Sequence, residues 1–295
     1  MDLGASSGGL PPDDVVEDID AILAATDEAI AAFHDPEPGS MLRMGVAPCS
    51  PFSVTGELMR AAAEIARQRG VRLHTHVAET ADEGEFCKER FGCTPVEYLD
   101  SLGWLAGDVW LAHAVHLDDA AIRRLAATGT GVAHCPSSNA RLGAGICRTA
   151  DLLAAGVAVG LGVDGAASNE ETSLLGEVRE AALMARAVGG PLALTVRQSL
   201  ELATLGGARL IGRADELGSL ETGKLADIAL WRMDGLPHAG IADPVAGLVL
   251  GARPPLELLI VDGEIVVERD RVVTVDERAA AVAAARAAAH LANVG

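Results

Sequence analysis

The sequence has few aromatic residues and few positive charges. Only 3% of its 295 residues are aromatic whereas 49% are hydrophobic, so we expect a core of Ala, Val, Leu and Ile. The 23 Lys and Arg residues are outnumbered by 42 Asp and Glu residues, which gives a formal net charge of −19. This balance argues against duplex nucleic acid and anionic membrane as partners. It is compatible with a free nucleobase as a substrate.

The sequence also lacks long apolar runs and a cysteine framework. No apolar run approaches the ~20 residues of a membrane-spanning helix. Residues 1–9 have neither the basic nor the apolar region of a signal peptide. The five cysteines are an odd number and lie too far apart for a disulfide framework or a Cys-based zinc module; they are Cys49, Cys87, Cys93, Cys135 and Cys147. A reduced, cytoplasmic setting is therefore predicted.

From Met41 onward, β-rich apolar runs alternate with helical patterns. The predicted strands span residues 42–47, 71–77, 108–114, 131–135 and 157–163. The predicted helices span residues 13–33, 55–69, 82–90, 95–102, 118–127, 150–155, 172–188 and 195–211. Repeated βα units of this kind predict a parallel sheet with right-handed crossovers.

The pattern changes after residue 218. Residues 218–230 read as a turn that leads into a strand, and residues 256–261 and 264–268 flank an Asp-Gly pair typical of a hairpin. These strands are too few for a domain of their own, so we expect them to complete a sheet whose other strands come from elsewhere. An Ala-rich helix is predicted over residues 276–293.

Polar side chains gather at the C-terminal ends of the predicted strands, where (β/α) barrels build active sites. Side chains two apart on a strand point to one face, so a strand ending near residue 77 would direct His74 and His76 together, with Glu79 just beyond. Such a group suits a metal ion and a proton-transferring carboxylate. An isolated pair of structural histidines is the alternative. The clustering of strand-end residues disfavours it, since these residues include Cys49, His74, His76, His113, His116, His134 and Asp164.

These motifs resemble those of the amidohydrolase superfamily, in the branch of cytosine, guanine and S-adenosylhomocysteine deaminases and triazine hydrolases. The matching segments follow the family's order and span residues 74–80, 111–117, 134–139, 162–165 and 218–227. Residues 4–12, 47–53 and 129–134 are most similar to 8-oxoguanine deaminases. The resemblance implies an α/β fold, a TIM-type (β/α)8 barrel with a small β-sandwich domain. We accordingly assign residues 1–215 to a partial barrel, 216–275 to the small β domain and 276–295 to a C-terminal helix.

The resemblance also implies roles for individual residues. His76 and Asp164 would be ligands of one divalent metal ion, Zn²⁺ or alternatively Fe²⁺. Glu79 would shuttle protons and contact the substrate, and His113 would hydrogen-bond the attacking water or the substrate carbonyl. Cys49 occupies a position from which other members contact the substrate ring; the alternative is a small buried hydrophobe.

The remaining candidates are expected to serve structure. His134 and Asn139 would shape a loop, and His116 would form a structural hydrogen bond. His74 would lie behind the metal ligand His76 and help to orient it. Three further histidines lie outside every matched motif and are expected at the surface: His34, His238 and His290.

One part of the family pattern is missing. The family's first barrel strand carries a His-x-His pair that supplies two metal ligands, and nothing upstream of Met41 provides it. We therefore expect strands four to eight of the barrel, without the N-terminal third. Open sheet edges would then favour poor solubility or association, including a homo-oligomer.

Together these features predict a metal-dependent hydrolytic deaminase that converts 8-oxoguanine to urate and ammonia. The expected partner is a small heterocyclic molecule. Two alternatives stay open: a guanine deaminase or a triazine amino- or chlorohydrolase on the same fold, and a truncated product without catalysis.

Overall fold

The computed structural model describes residues 1–292 and divides into two compact units, Met1–Ala214 and Asp215–Gly295. Asn293, which ends the predicted tail helix, lies outside the described residues. In the first unit, five parallel strands pair in chain order, which confirms the predicted parallel sheet. The strands are β1 (Gly45–Val46), β2 (Arg72–Val77), β3 (Val109–His113), β4 (Gly131–His134) and β5 (Val159–Leu161).

Helices connect these strands. They are α1 (Ile19–Phe33), α2 (Gly56–Arg69), α3 (Ala81–Phe91), α4 (Pro95–Ser101), α5 (Asp119–Thr128), α6 (Pro136–Arg141), α7 (Thr149–Ala154), α8 (Leu174–Gly189), α9 (Val196–Glu201) and α10 (Gly207–Leu210). The helix starts follow from local chemistry: the Thr55 side chain accepts from Leu58 N–H at the start of α2, as expected of an N-cap. Gly70 ends the same helix at φ 68°, a conformation that glycine adopts readily.

The side chains of β2 alternate between the buried core and the opposite face of the sheet. Leu73, Thr75 and Val77 are fully buried, whereas His74 and His76 lie on the other face and are half-buried. This alternation is that of a strand. It bears out the expectation that the two imidazoles share one face.

Helix α10 packs across β4 and β5. A Cβ atom added at Gly160 would lie 2.7 Å from Leu210 Cδ1 and 3.1 Å from Gly207 Cα, and one added at Gly131 would clash with Leu210. Because glycine has no side chain, the helix can approach these strands closely. The two glycines thus seat Leu210 against the sheet.

Several predicted boundaries were wrong. The strand predicted over 42–47 is reduced to β1, because it pairs with β2 only through Gly45 and Val46. The first helix starts at Ile19, where Asp18 accepts from Ala21 N–H as an N-cap. The helix predicted over 195–211 is interrupted by a π-helical turn over Leu202–Gly206. The strand predicted over 157–163 is only three residues long.

The second unit contains one antiparallel sheet with strands in the order β6 (Ile228–Trp231), β7 (Leu256–Val261), β8 (Glu264–Glu268) and β9 (Arg271–Val272). The predicted hairpin is confirmed: Asp262 and Gly263 join β7 to β8 with φ of 49° and 83°, as a type I′ turn requires. These four strands pair with one another, whereas we expected some of their partners to come from elsewhere. The sequence did not predict β9, because a two-residue strand is too short to show an alternating pattern.

Two helices accompany this sheet, α11 (Pro244–Leu250) and the exposed α12 (Glu277–Ala292). Contrary to prediction, His238 is not a surface residue: it is buried and its Nε2 donates to the carbonyl oxygen of Ala252 at 2.9 Å. Within residues 1–292, no helix is both long and apolar enough to cross a membrane.

Candidate metal centre and active site

Three candidate residues converge at the C-terminal ends of the parallel strands. One donor atom each from His76, His113 and Asp164 lies within 4.8 Å of the other two. Glu79 joins them, because its Oε2 is 3.6 Å from His113 Nε2. His113 Nε2 is also 4.0 Å from Asp164 Oδ2. The structure therefore brings together four of the five residues that the sequence singled out for chemistry.

The backbone is strained where two of these side chains enter the site. His113 has φ 68° and Asp164 has φ 63°, values that non-glycine residues rarely adopt. In β3, strict alternation would put His113 on the same face as the buried Val109 and Leu111. The left-handed turn at the strand end reorients His113 toward Glu79 instead. Such strain is typical of functional sites.

His76 is oriented by the chain segment that follows β1. Its Nδ1 donates to the carbonyl oxygen of Cys49 at 2.7 Å, which leaves Nε2 to face the site. The neighbouring Cys49 thiol, ahead of other causes, raises the pKa of His76 to about 9. At neutral pH a metal ion would therefore have to displace a proton from this ring.

His113 is almost fully buried and is held by a side-chain amide. Its Nδ1 donates to Asn139 Oδ1 at 2.9 Å, so that in the neutral ring Nε2 is an acceptor. That nitrogen faces carboxylate oxygens of Glu79 and Asp164. Three acceptor atoms thus point toward one another. A cation held among these atoms would relieve the repulsion.

Asp164 accepts three hydrogen bonds through its side chain. Ser138 Oγ and Ser168 Oγ donate to its Oδ2 at 2.6 and 2.9 Å, and Gly165 N–H donates to its Oδ1 at 2.7 Å. Burial raises the pKa of Asp164, but these hydrogen bonds, led by that of Ser138, outweigh burial and lower it below its usual value. The carboxylate is therefore ionised at neutral pH, as a metal ligand must be.

Glu79 is positioned through its backbone. The carboxylate of Glu83, itself buried, accepts from Ala78 N–H at 2.8 Å and from Glu79 N–H at 3.1 Å. Ala78 has φ 50°, so these bonds stabilise an unfavourable turn. Burial is the main cause that raises the pKa of Glu83 to about 7.

Cys49 lies beside His76 and is half-buried. Its carbonyl oxygen accepts from Thr75 Oγ1 at 2.9 Å in addition to His76. A hydrogen bond with the His76 side chain is the main cause that lowers the pKa of the Cys49 thiol. All five cysteines are free thiols in the structure.

The other strand-end histidines lie outside this group. His74 stacks on Trp110 with ring centroids 4.9 Å apart, and burial lowers its pKa to about 4. His116 Nε2 donates to the carbonyl oxygen of Ala144 at 2.8 Å, as predicted for a structural residue. Burial lowers the pKa of His134 to about 3, and its Nδ1 has no hydrogen-bond partner among the described residues.

Sequence reasoning missed the residues that support the site, namely Glu83, Ser138, Ser168, Asn169 and Glu177. Ser168 and Asn169 lie in a loop whose shape no periodic pattern reveals, and Ser138 lies in the short helix α6. The two glutamates do leave a signal. Each occupies a core-facing position of a helix, where an acidic residue is rare unless it has partners.

Comparison with known proteins identifies the family. The family model described as "Amidohydrolase family" matches residues 3–266. The chain belongs to the amidohydrolase family. This amidohydrolase chain is 48% identical over 263 residues to an 8-oxoguanine deaminase from Pseudomonas aeruginosa, covering 89% of this chain and 58% of that protein.

Two further comparisons agree. A 5-methylthioadenosine/S-adenosylhomocysteine deaminase from Desulforudis audaxviator is 39% identical, with coverage of 94% of this chain and 65% of that protein. Among solved structures, an atrazine chlorohydrolase from Arthrobacter aurescens TC1 complexed with zinc superposes with a TM-score of 0.92 at 39% identity, covering 97% of this chain and 64% of that one. The chain thus spans about three-fifths of the length of the relatives it matches.

Proposed function

We propose that this chain carries metal-binding and proton-transferring residues of a hydrolytic deaminase, with 8-oxoguanine as the substrate and urate and ammonia as the products. The observation that carries the proposal is the convergence of His76, His113 and Asp164 within 4.8 Å, with Glu79 alongside. The 48% identity to an 8-oxoguanine deaminase supports the choice of substrate.

The donor set fits a divalent metal ion. His76 and Asp164 would hold the ion through His76 Nε2, once the ring has lost a proton, and through a lone pair of the Asp164 carboxylate that its three hydrogen-bond donors leave free. An imidazole and a carboxylate suit zinc, and Fe²⁺ is also compatible; a zinc complex of the related chlorohydrolase favours zinc. When bound, the ion supplies Lewis acidity and lowers the pKa of water toward ~7.

Proton transfer falls to the two carboxylates. Asp164, kept ionised by its hydrogen bonds, would accept a proton from the attacking water. Glu79 would protonate the ring nitrogen beside the amine-bearing carbon, take up the proton of the added hydroxyl group and pass it to the departing amine, which leaves as ammonia. Transfer of the proton on Asp164 to Glu79 would restore both groups. His113 Nε2 lies between these carboxylates and would hydrogen-bond the attacking water or the substrate carbonyl. Water replaces the amine, so atoms balance.

We assign Cys49 to substrate contact. It is half-buried next to His76, so its thiol is within the reach of a ring bound against the metal. A Cys49→Ala variant is therefore expected to raise KM more than it lowers kcat, because the residue takes no part in proton transfer.

A second substrate class has an observation in its favour. The likeness to an atrazine chlorohydrolase, with a TM-score of 0.92, supports a triazine amino- or chlorohydrolase, and guanine would fit the same chemistry. A panel of 8-oxoguanine, guanine and triazines, scored by release of ammonia or chloride, distinguishes these substrates. Gel filtration of the same preparation would test the proposed homo-oligomer.

The decisive experiment compares two isosteric variants with the wild-type chain. We expect Glu79→Gln to retain zinc after dialysis and to lose nearly all turnover of 8-oxoguanine, because only the proton-transferring group is removed. Asp164→Asn should lose zinc as well, since a neutral amide is a poor ligand. Near-normal turnover of Glu79→Gln would refute the shuttle role. A wild-type chain that neither retains zinc nor releases ammonia would favour a fragment without catalysis.

A further inference from the structure

Glu177 is a buried acidic residue to which the proposed reaction gives no role. It lies on α8 and is 1% exposed. An ionised carboxylate in the protein interior is unfavourable unless hydrogen bonds satisfy it. Both of its oxygens have a partner: Oε2 accepts from Ser137 N–H at 3.0 Å and Oε1 accepts from Asn169 Nδ2 at 2.8 Å.

Each of these two hydrogen bonds connects Glu177 to Asp164 through a different set of neighbouring residues. Asn169 Nδ2 also donates to the carbonyl oxygen of Val163 at 2.9 Å, and Val163 directly precedes Asp164. Ser137 directly precedes Ser138, whose hydroxyl donates to Asp164 Oδ2 at 2.6 Å. Glu177 therefore contacts both the loop that carries Asp164 and the start of α6, from which Ser138 holds the Asp164 carboxylate.

Asp164 needs such support because its backbone is unfavourable. At φ 63° a non-glycine residue persists only where its surroundings determine its conformation. Relaxation to a common φ value would turn the carboxylate away from His76 and His113. The link through Asn169 and Val163 opposes that relaxation on the backbone side, while Ser138 and Ser168 fix the carboxylate itself.

We propose that Glu177 is a positioning residue, which holds the start of α6 and the β5–α8 loop together so that the Asp164 carboxylate faces His76 and His113. The inference rests on the proposed role of Asp164 as a metal ligand. Glu177 itself touches neither substrate nor metal in this arrangement; it acts through Asn169 and Ser137.

Glu83 is the matched control for Glu177. It is equally buried, at 2% exposure, and also accepts two hydrogen bonds from a strand-end loop, but its partners are Ala78 and Glu79. Replacing either glutamate by glutamine therefore changes one oxygen of a buried group that accepts two hydrogen bonds. Only Glu177 is connected to Asp164 by the bonds described above.

The first measurement is zinc affinity of the full chain, by competition with a chromophoric chelator at fixed pH. We expect Glu177→Gln to lower the affinity about 10- to 100-fold, as changes behind metal ligands typically do. Glu83→Gln should leave it unchanged. Equal losses in the two variants would indicate general destabilisation, and an unchanged affinity in Glu177→Gln would refute the positioning role.

A second measurement does not depend on zinc. In hydrogen–deuterium exchange, Glu177→Gln should accelerate exchange in segments 137–142 and 163–169 but not in 78–83, and Glu83→Gln should do the reverse. If the wild-type chain binds no zinc, the metal proposal fails and the exchange experiment alone tests Glu177. Exchange in segments 137–142 and 163–169 of Glu177→Gln that is as slow as in the wild type would then overturn the inference. Should Glu177→Gln not fold, Asn169→Ala, which removes one of the two links, is expected to accelerate exchange in 163–169.

Discussion

The buried carboxyl group of Glu83 makes stability depend on pH in a predictable direction. Burial raises its pKa from 4.5 to about 7 in the folded protein. The folded state therefore binds this proton more tightly than the unfolded state. The stabilisation is complete below pH 4.5 and is lost as the pH rises through about 7. At ~1.4 kcal/mol for each pKa unit, the contribution that disappears is roughly 3 kcal/mol.

The perturbation is Glu83→Gln, which removes the titrating group and keeps its size. The assay is urea unfolding between pH 4.5 and 8, followed through tryptophan fluorescence, to which the buried Trp104 contributes. The free energy of unfolding of the wild type should fall relative to the variant as pH rises, by roughly 3 kcal/mol in all. Glu89→Gln, at an exposed position of the same helix, controls for the change in net charge.

Two results would refute this reasoning. A difference between the two proteins that stays constant over the pH range would mean that burial does not perturb the Glu83 carboxyl group. A wild type that gains stability relative to the variant would mean that the N–H donors of Ala78 and Glu79 outweigh burial. The ¹³C shift of the Glu83 carboxyl carbon, followed by NMR, would report the pKa directly.

Two further predictions concern packing. Gly131→Ala should destabilise the fold by ~1–3 kcal/mol in urea unfolding, because the added methyl group would clash with Leu210; adding Leu210→Ala should recover part of the loss, and additive losses would show that the clash is not the cause. Trp104→Phe should cost ~1–3 kcal/mol, because the indole donates to the carbonyl oxygen of Met59 at 2.8 Å in a fully buried position; a midpoint equal to that of the wild type would show that the carbonyl finds another donor.

Regular patterns in the sequence predicted most of the fold. Alternation in residues 71–77 placed His74 and His76 on one face, and the Asp262-Gly263 pair located the hairpin between β7 and β8. Periodicity failed where tertiary contacts decide. Close packing of Gly206 against β5 accompanies a π-helical turn that no residue pattern signals. Likewise, β1 is short because it has few partners, although its sequence favours a strand.

The candidate site was predictable as a set of residue types but not as a geometry. Strict alternation would direct His113 away from Glu79, and only its φ of 68° brings the two within 3.6 Å. The partners of Glu83 and Glu177 are backbone amides at strand ends and at the start of α6, and an asparagine in a loop. Such contacts depend on loop conformation, which strand and helix periods do not encode. The metal and catalytic roles of these residues stay predictions.

The two buried glutamates suggest how metal binding and proton transfer are kept apart in this half of the site. Glu83 lies on the helix that follows β2 and holds the loop of Glu79, the proposed proton shuttle. Glu177 lies on the helix that follows β5 and is linked to Asp164, the proposed ligand. In each case a helix-borne carboxylate accepts hydrogen bonds from a loop that contains a left-handed non-glycine residue, Ala78 or Asp164. Because Glu83 and Glu177 accept from different donors, a change in the Glu79 loop can alter proton transfer while the geometry of the metal ligands persists. A change in the Asp164 loop can likewise alter metal binding while Glu79 keeps its position.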